Sequence, residues 1–353
     1  MFSGVYSKKN VLITGHNGFK GSWLCFWLSR LNANITGVSL PPEYAKNHFE
    51  MLGSRIKTHY QDIRELDKLK DVFQKTSPEI VFHLAAQALV RPSYENPVET
   101  WSTNVLGTVN VLEACRCTNS VKAVVVVTSD KCYENREWER GYVENDRLGG
   151  HDPYSASKAG TELVVSNYQK SFFNKPDSPC LASVRAGNVI GGGDWAKDRL
   201  VPDIVRSIIS GKSLTIRSPK AIRPWQHVIE PLSGYLLLGK KLIQGERKYA
   251  GAWNFGPNEQ GCQTVEWILK KTKQYWPNFN WHYSGKENVH EASILKLDIS
   301  KAKVLLGWRP IYSLEHTLYE TLEWYRRFYE SGDVLTYQQL GDYTSIAQKQ
   351  NII

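Results

Sequence analysis

Short, uninterrupted apolar runs recur along the first half of the chain, and between them apolar residues return at every third or fourth position. The runs predict strands over 11–14, 35–39, 57–61, 80–84, 123–128 and 181–184, and the helical periodicity predicts helices over 21–31, 65–76, 98–117 and 154–173. A strand that is apolar at consecutive positions needs cover on both faces, and strands alternating with helices are joined by crossovers. The pattern therefore predicts an α/β fold, a doubly wound parallel Rossmann-type sheet between two helical layers. Ligands of such sheets lie beyond the carboxyl ends of the strands, so residues 15–21, 85–87 and 129–131 are expected to share one crevice.

After Val189 the rhythm breaks. Gly191-Gly192-Gly193-Asp194-Trp195 and Arg223-Pro224-Trp225 read as loops, with helices expected over 202–210, 265–273 and 300–306 and a short strand over 213–217. The expected division is a dinucleotide-binding domain over 1–188, which includes the helix of Tyr154 and Lys158, and a smaller mixed α/β substrate-binding lobe over 189–353 that can return strands to the first domain. Residues after Glu330 are polar and read as peripheral.

At 353 residues, 41% hydrophobic and 22% charged, the chain can bury a large core. It shows no secretory leader and no run near the roughly 20 apolar residues of a membrane span, so a cytoplasmic protein with no membrane partner is expected. The six cysteines are scattered without a Cys-x-x-Cys pair or a histidine cluster, which predicts reduced thiols and no metal site. A net charge of +9 fits nucleic acid, an anionic surface or an anionic small substrate. Because the basic residues are interleaved with acids, no nucleic-acid surface is expected, and a phosphate-bearing metabolite needs only a few of them.

Three clusters carry chemistry. The first strand runs into Gly15-His16-Asn17-Gly18-Phe19-Lys20-Gly21 and then directly into a helix. Glycines there let the backbone approach a pyrophosphate, and the helix N-terminus attracts its charge. His16 and Lys20 either add charge near that phosphate or are merely solvated. Second, Tyr154 and Lys158 at i,i+4 share a helix face, where the ammonium favours the phenolate and lowers the tyrosine pKa toward working pH, making Tyr154 a general base. Third, the run ending in Thr128-Ser129-Asp130-Lys131 sets a hydroxyl, a carboxylate and an amine side by side, a set able to assist hydride removal and water loss; the competing reading is a surface ion pair. After the second strand, Ser39-Leu40-Pro41-Pro42 provides neither the acid typical of NAD sites nor an arginine for a 2′-phosphate, so these residues leave NAD and NADP both open.

Gly15-x-x-Gly18-x-x-Gly21, His83-Leu84-Ala85-Ala86-Gln87, the Asn104 helix, Thr128-Ser129-Asp130-Lys131, Asp152-Pro153-Tyr154-Ser155-Ala156-Ser157-Lys158, Arg185-Ala186-Gly187-Asn188-Val189 and Leu306-Gly307-Trp308-Arg309-Pro310 together resemble the extended short-chain dehydrogenases/reductases that act on nucleotide sugars. Within them the chain resembles the sugar-nucleotide 4,6-dehydratases, most closely those acting on CDP-glucose. Commoner dehydratases carry Asp-Glu where Asp130-Lys131 stands, which keeps the acid and leaves the C5 base in question.

The resemblance implies a hydro-lyase with tightly bound NAD that oxidises C4, eliminates water across C5 and C6, and returns the hydride to C6. It gives Tyr154 the O4 proton, Ser129 a hydrogen bond to O4, Lys158 the nicotinamide ribose, Asp130 the departing C6 hydroxyl and Lys131, as a neutral amine, the C5 proton. Implied cofactor contacts are Gly15, Asn17, Gly18, Phe19, Gly21, Asp62, Ile63, Leu84, Ala85, Ala86, Asn104, Thr128, Tyr154 and Lys158. Implied substrate contacts are Gln87, Arg91, Asn188, Arg199, Arg217, Arg223, Gln226 and His227, while His83 reads as a core histidine. The resemblance also implies a homodimer or dimer of dimers built on the helices 98–117 and 154–173, and a place in cell-surface deoxysugar synthesis, as for an O-antigen lipopolysaccharide. Alternatives are a 4-epimerase, a dehydratase of a dTDP-, GDP- or UDP-hexose, and a non-catalytic dinucleotide-binding protein.

Overall fold

The computed structural model describes residues 1–53, 56–285 and 293–353. Its centre is a sheet of seven strands, β1 (Asn10–Thr14), β2 (Asn34–Ser39), β3 (Lys57–Tyr60), β4 (Ile80–His83), β5 (Ala123–Val127), β6 (Cys180–Ala186) and β7 (Gly251–Phe255). They run parallel in the order β7-β6-β5-β4-β1-β2-β3. The chain reverses its direction of winding between β1 and β4, the switch point at which such sheets hold ligands.

Helices α1 (Phe19–Arg30), α2 (Leu66–Thr76), α3 (Gly107–Arg116), α4 (Pro153–Ser171), α5 (Ile229–Ile243) and α6 (Thr336–Lys349) form the layers. Successive strand side chains point to opposite faces. Val11 and Ile13 accordingly join Trp23, Trp27, Leu232, Leu236 and Tyr343 of α1, α5 and α6 on one side, whereas Leu12 joins Leu69, Phe73, Val111, Leu112 and Val165 of α2, α3 and α4 on the other. Every residue of β5 is buried, as a strand covered twice must be.

The helix expected over 98–117 is interrupted. Pro97–Trp101 leads into a widened π turn, Ser102–Leu106, before α3 begins. Two hydroxyls explain the widening: Thr108 Oγ1 and Thr161 Oγ1 donate to the Asn104 carbonyl at 2.7 and 2.9 Å.

The residues after Glu330, expected to be peripheral, are part of the core. Leu340, Tyr343 and Ala347 of α6 are buried, and Tyr343 Oη donates to Glu230 Oε2 at 2.8 Å. Thr336 Oγ1 meets His48 Nε2 at 2.7 Å and accepts from Trp324 Nε1 at 2.9 Å. The apolar positions of α6 keep helical spacing; its many polar residues mask that stripe.

The remaining lobe packs Leu200–Ser210, Val265–Tyr275 and Leu314–Ser331 around Trp225, Phe279, Trp324 and Tyr325. The expected helix over 300–306 is a single π turn, Ala302–Leu306. Gly192 is required by this packing, since a Cβ on it would lie 2.0 Å from the Trp324 ring. Among the described residues, no helix is long and apolar enough to cross a membrane.

Candidate active site

A cleft of about 1470 Å³ lies over the carboxyl ends of β1, β4, β5 and β6 and is closed on the far side by the smaller lobe. A single small-ligand pocket takes roughly 300–1,000 Å³, so this one has room for two ligands end to end.

The glycine turn forms one end. Gly15 has φ +71°, and a Cβ on it would lie 2.7 Å from the Ala85 nitrogen; a Cβ on Gly21 would lie 2.0 Å from the Gly15 carbonyl oxygen. Any side chain at either position breaks the turn that presents the N-terminus of α1 to the cleft. Asn17 and Phe19 line it, and Asn17 also struts the turn by donating to the Leu40 carbonyl at 2.8 Å. Beyond β4, the Leu84 and Ala85 N–H groups donate to Thr14 Oγ1, each at 3.2 Å. Asp62 and Ile63 border the same end, with the Asp62 carboxyl held low by its hydrogen bonds from Arg64. His83 is buried between Thr14 and Thr108, where desolvation and the Lys158 charge push its pKa down to about 3.

The two basic residues inside the glycine turn have opposite fates. His16 is buried beneath β2, its ring against Gly37 and Phe49, and desolvation lowers it to about 4, so it brings no charge to a phosphate. Lys20 lines the cleft, where burial and the charge of Arg199 push its amine down to about 7 against the pull of Asp130.

At the middle of the cleft the catalytic candidates converge. Asp152 caps α4, accepting from Ser155 N at 2.9 Å and Ser155 Oγ at 2.6 Å, and Pro153 occupies the first turn; this fixes Tyr154 and Lys158 where β5 ends. Ser129 caps the turn Asp130–Cys132, accepting from Lys131 N at 3.2 Å and donating to Asp130 Oδ1 at 3.0 Å. Asp130 is 2% exposed, and its Oδ2 has no hydrogen-bond partner among the described residues. Burial raises its pKa against the opposing charges of Lys131, Arg223 and Lys20 and the Ser129 hydrogen bond, the direction a proton donor needs.

The expected lowering of the Tyr154 pKa is not found. Burial pushes the phenol up to about 12, opposed by its Ser129 hydrogen bond and by Arg199, with Asp130 and Asp152 adding to the rise. Lys158 points its ammonium at the Val127 carbonyl, 3.4 Å away, and burial lowers it to about 8 against the charge of Glu162.

Three residues expected to touch ligand do not line the cleft. Asn104 is buried behind it, its amide accepting from Gln87 N at 2.8 Å and donating to Gln87 O at 3.0 Å and Ser157 Oγ at 2.8 Å, so it ties the loop after β4 to α4. Gln226 and His227 pair in register with Val189 and Ile190, which turns them into the interior. Gln226 Nε2 donates to Phe255 O at 2.9 Å, and His227 packs against Trp23 and Tyr312 with its pKa driven to about 3 by burial. Gln87, Arg91, Asn188, Arg199, Arg217 and Arg223 do line the cleft together with Thr128, Leu84, Ala85, Ala86 and Gly18. Arg91 bridges to Asp198 at 3.2 Å, and Arg199 to Asp194 at 2.9 Å. Sequence reading missed Asp194, Glu162 and the partnership of Glu162 with Arg185; for Arg185 the available signal was a charge between Val184 and Ala186 in an otherwise buried strand.

The sequence profile described as GDP-mannose 4,6 dehydratase matches residues 12–321. CDP-glucose 4,6-dehydratase of Salmonella typhimurium is 48% identical over 346 residues, 96% of each chain. The dTDP-glucose 4,6-dehydratase of Haemophilus influenzae is 25% identical over 336 residues, 90% of this chain and 97% of that one. Among solved structures, an epimerase of Methanothermobacter thermautotrophicus shares the fold with a TM-score of 0.81 at 24% identity, covering 93% of this chain and 95% of that one. MoeE5 in complex with UDP-glucuronic acid and NAD has a TM-score of 0.76 at 25% identity, covering 90% and 99%.

Proposed function

Because the chain belongs to the GDP-mannose 4,6 dehydratase family, we propose that it dehydrates CDP-D-glucose to CDP-4-dehydro-6-deoxy-D-glucose with NAD as its resident cofactor. The observation that carries this reading is the 48% identity to the Salmonella CDP-glucose enzyme over 96% of both chains. The cleft fits a dinucleotide: Gly15 and Gly21 leave no space for side chains where the N-terminus of α1 faces it. When bound, NAD would supply a reversible acceptor for the C4 hydride.

The chain's own groups supply the proton steps. Tyr154 takes the O4 proton while Ser129, beside that phenol on the cleft, orients O4. The C4 carbonyl then acidifies C5–H. Asp130, whose pKa burial raises, gives a proton to the C6 hydroxyl, which leaves as water. An amine takes the C5 proton and returns one to C5 as C6 is reduced; Lys131 is assigned this step by its place in the motif, and Lys20, at about 7, is another amine on the cleft. Arg199, Arg217 and Arg223 are assigned to the diphosphate, with Gln87, Arg91 and Asn188 toward the sugar.

Turnover of CDP-, dTDP-, GDP- and UDP-glucose in heavy water tests the proposal. A dehydratase product loses the mass of water and gains one deuterium at C5, and CDP-glucose is expected to be the preferred substrate. A product of unchanged mass indicates a 4-epimerase instead. The same assay on Lys131→Met and Lys20→Met assigns the base, since only its loss stops C5 exchange. Exposed Val98, Trp101, Leu106 and Leu163, on the segment before α3 and on α4, support a homodimer across these helices. The reading also places the enzyme in the cytoplasm, in deoxysugar synthesis for a cell-surface O-antigen.

A further inference from the structure

Beneath the catalytic loop lies a charged pair that these proton steps leave unused. Glu162, one turn beyond Lys158 on α4, and Arg185 on β6 have side chains only 3% exposed each, with Arg185 Nη2 2.6 Å from Glu162 Oε2. The same Glu162 oxygen accepts from Ser183 Oγ at 2.7 Å, and the other accepts from the Thr128 hydroxyl. Arg185 Nη1 donates to Tyr133 Oη at 2.7 Å and to the Glu144 carbonyl at 2.9 Å, and the guanidinium lies 4.9 Å from the Tyr133 ring centre. Tyr133 in turn donates to Asn254 Oδ1 at 2.8 Å and stacks on Tyr142, which stacks on Trp138, itself under Arg140 at 4.1 Å. The pair thus joins β5, β6, β7 and α4 around the segment that carries Ser129, Asp130 and Lys131.

Burying two charges is costly and contributes little net stability, so the pair calls for another role. The i,i+4 spacing sets Glu162 and Lys158 on one helix face. Burial pushes the Lys158 amine down to about 8, and the Glu162 charge is the foremost influence opposing it. Burial alone would raise the Glu162 carboxyl, but Arg185 and the Thr128 and Ser183 hydroxyls hold it low. The other titratable groups interacting with Lys158 are Cys132 in the catalytic loop, His83 at the end of β4 and Lys20 from α1, and Tyr154 lies one turn before it on the same helix.

We propose that Glu162 and Arg185 are positioning residues for the catalytic centre: Glu162 keeps Lys158 protonated, while Arg185 keeps Glu162 ionised and clamps Tyr133, and with it the loop of Ser129, Asp130 and Lys131. The catalytic part rests on the dehydratase reading; the electrostatic part does not.

Competitive labelling with acetic anhydride across a pH series, read by mass on the peptide holding Lys158, measures that amine without substrate. In Glu162→Gln the Lys158 titration is expected to move to lower pH, and a fall of one unit from about 8 raises its labelling at pH 7 about fivefold. The alkaline limb of turnover moves down with it. Mere loosening of the packing acts the other way, toward the ordinary lysine value, so a titration that stays put or rises overturns the proposal. Should Glu162→Gln fail to fold, Arg185→Lys decides: it keeps the cation but loses the fork, so the Lys158 titration holds while turnover falls about tenfold or more. A titration that shifts, or turnover that holds, in Arg185→Lys overturns it. If the parent dehydrates no nucleotide hexose, the functional reading fails while the labelling result stands.

Discussion

On the sheet side of the cleft, side chains stand where parallel strands end, as Thr128 and Ser129 do after β5 and Leu84 and Ala85 after β4. Across from them, Arg217 and Arg223 stand at or beside strands of three residues, and Arg199 immediately precedes a helix, in a lobe held together by tryptophans. Backbone register places the first group; side-chain packing places the second. The difference teaches that one wall is built for atoms that must not move and the other for grip.

Variants can break that division. Tyr154→Phe removes the proton acceptor, and turnover is expected to fall about 10²- to 10⁴-fold with KM near the parent value, read by deuterium incorporation at C5. Trp324→Ala, which empties the position against Gly192 and Trp195, is expected to lose about 3–5 kcal/mol in urea denaturation while leaving the sheet wall intact. Arg223→Gln is expected to lose about 1.5–3 kcal/mol of binding, seen as a KM raised roughly 10- to 100-fold at unchanged kcat. A loss confined to kcat would put Arg223 on the chemical wall and end the comparison. The smallest effect comes from pH. The Lys158 ammonium is the working form and is lost as pH rises through about 8, so turnover is expected to decline by at most about tenfold per unit above that point, with the arginine-dependent KM unchanged.

How much was legible follows the same division. β1, β4 and β5 could be read because strands covered on both faces must be apolar at consecutive positions. β7 could not: it is an edge strand that includes Asn254, fully buried only because its amide bonds Tyr133 Oη and the carbonyls of Tyr142 and Asp298. The i,i+4 spacing of Tyr154 and Lys158 was visible, but not that the ammonium turns to the Val127 carbonyl, which depends on a strand thirty-one residues away in sequence. His16 and Lys20 look alike in the glycine turn; only the position of β2 buries one and leaves the other on the cleft. Gln226 and His227 looked like loop residues because a two-residue strand has no periodicity to betray it.

The contact between His48 and Thr336 spans 288 residues of sequence, yet His48 directly follows Asn47, whose amide holds the Asn17 carbonyl at 3.1 Å. A nascent chain therefore completes every strand of the sheet before the ribosome delivers the bolt for this rim.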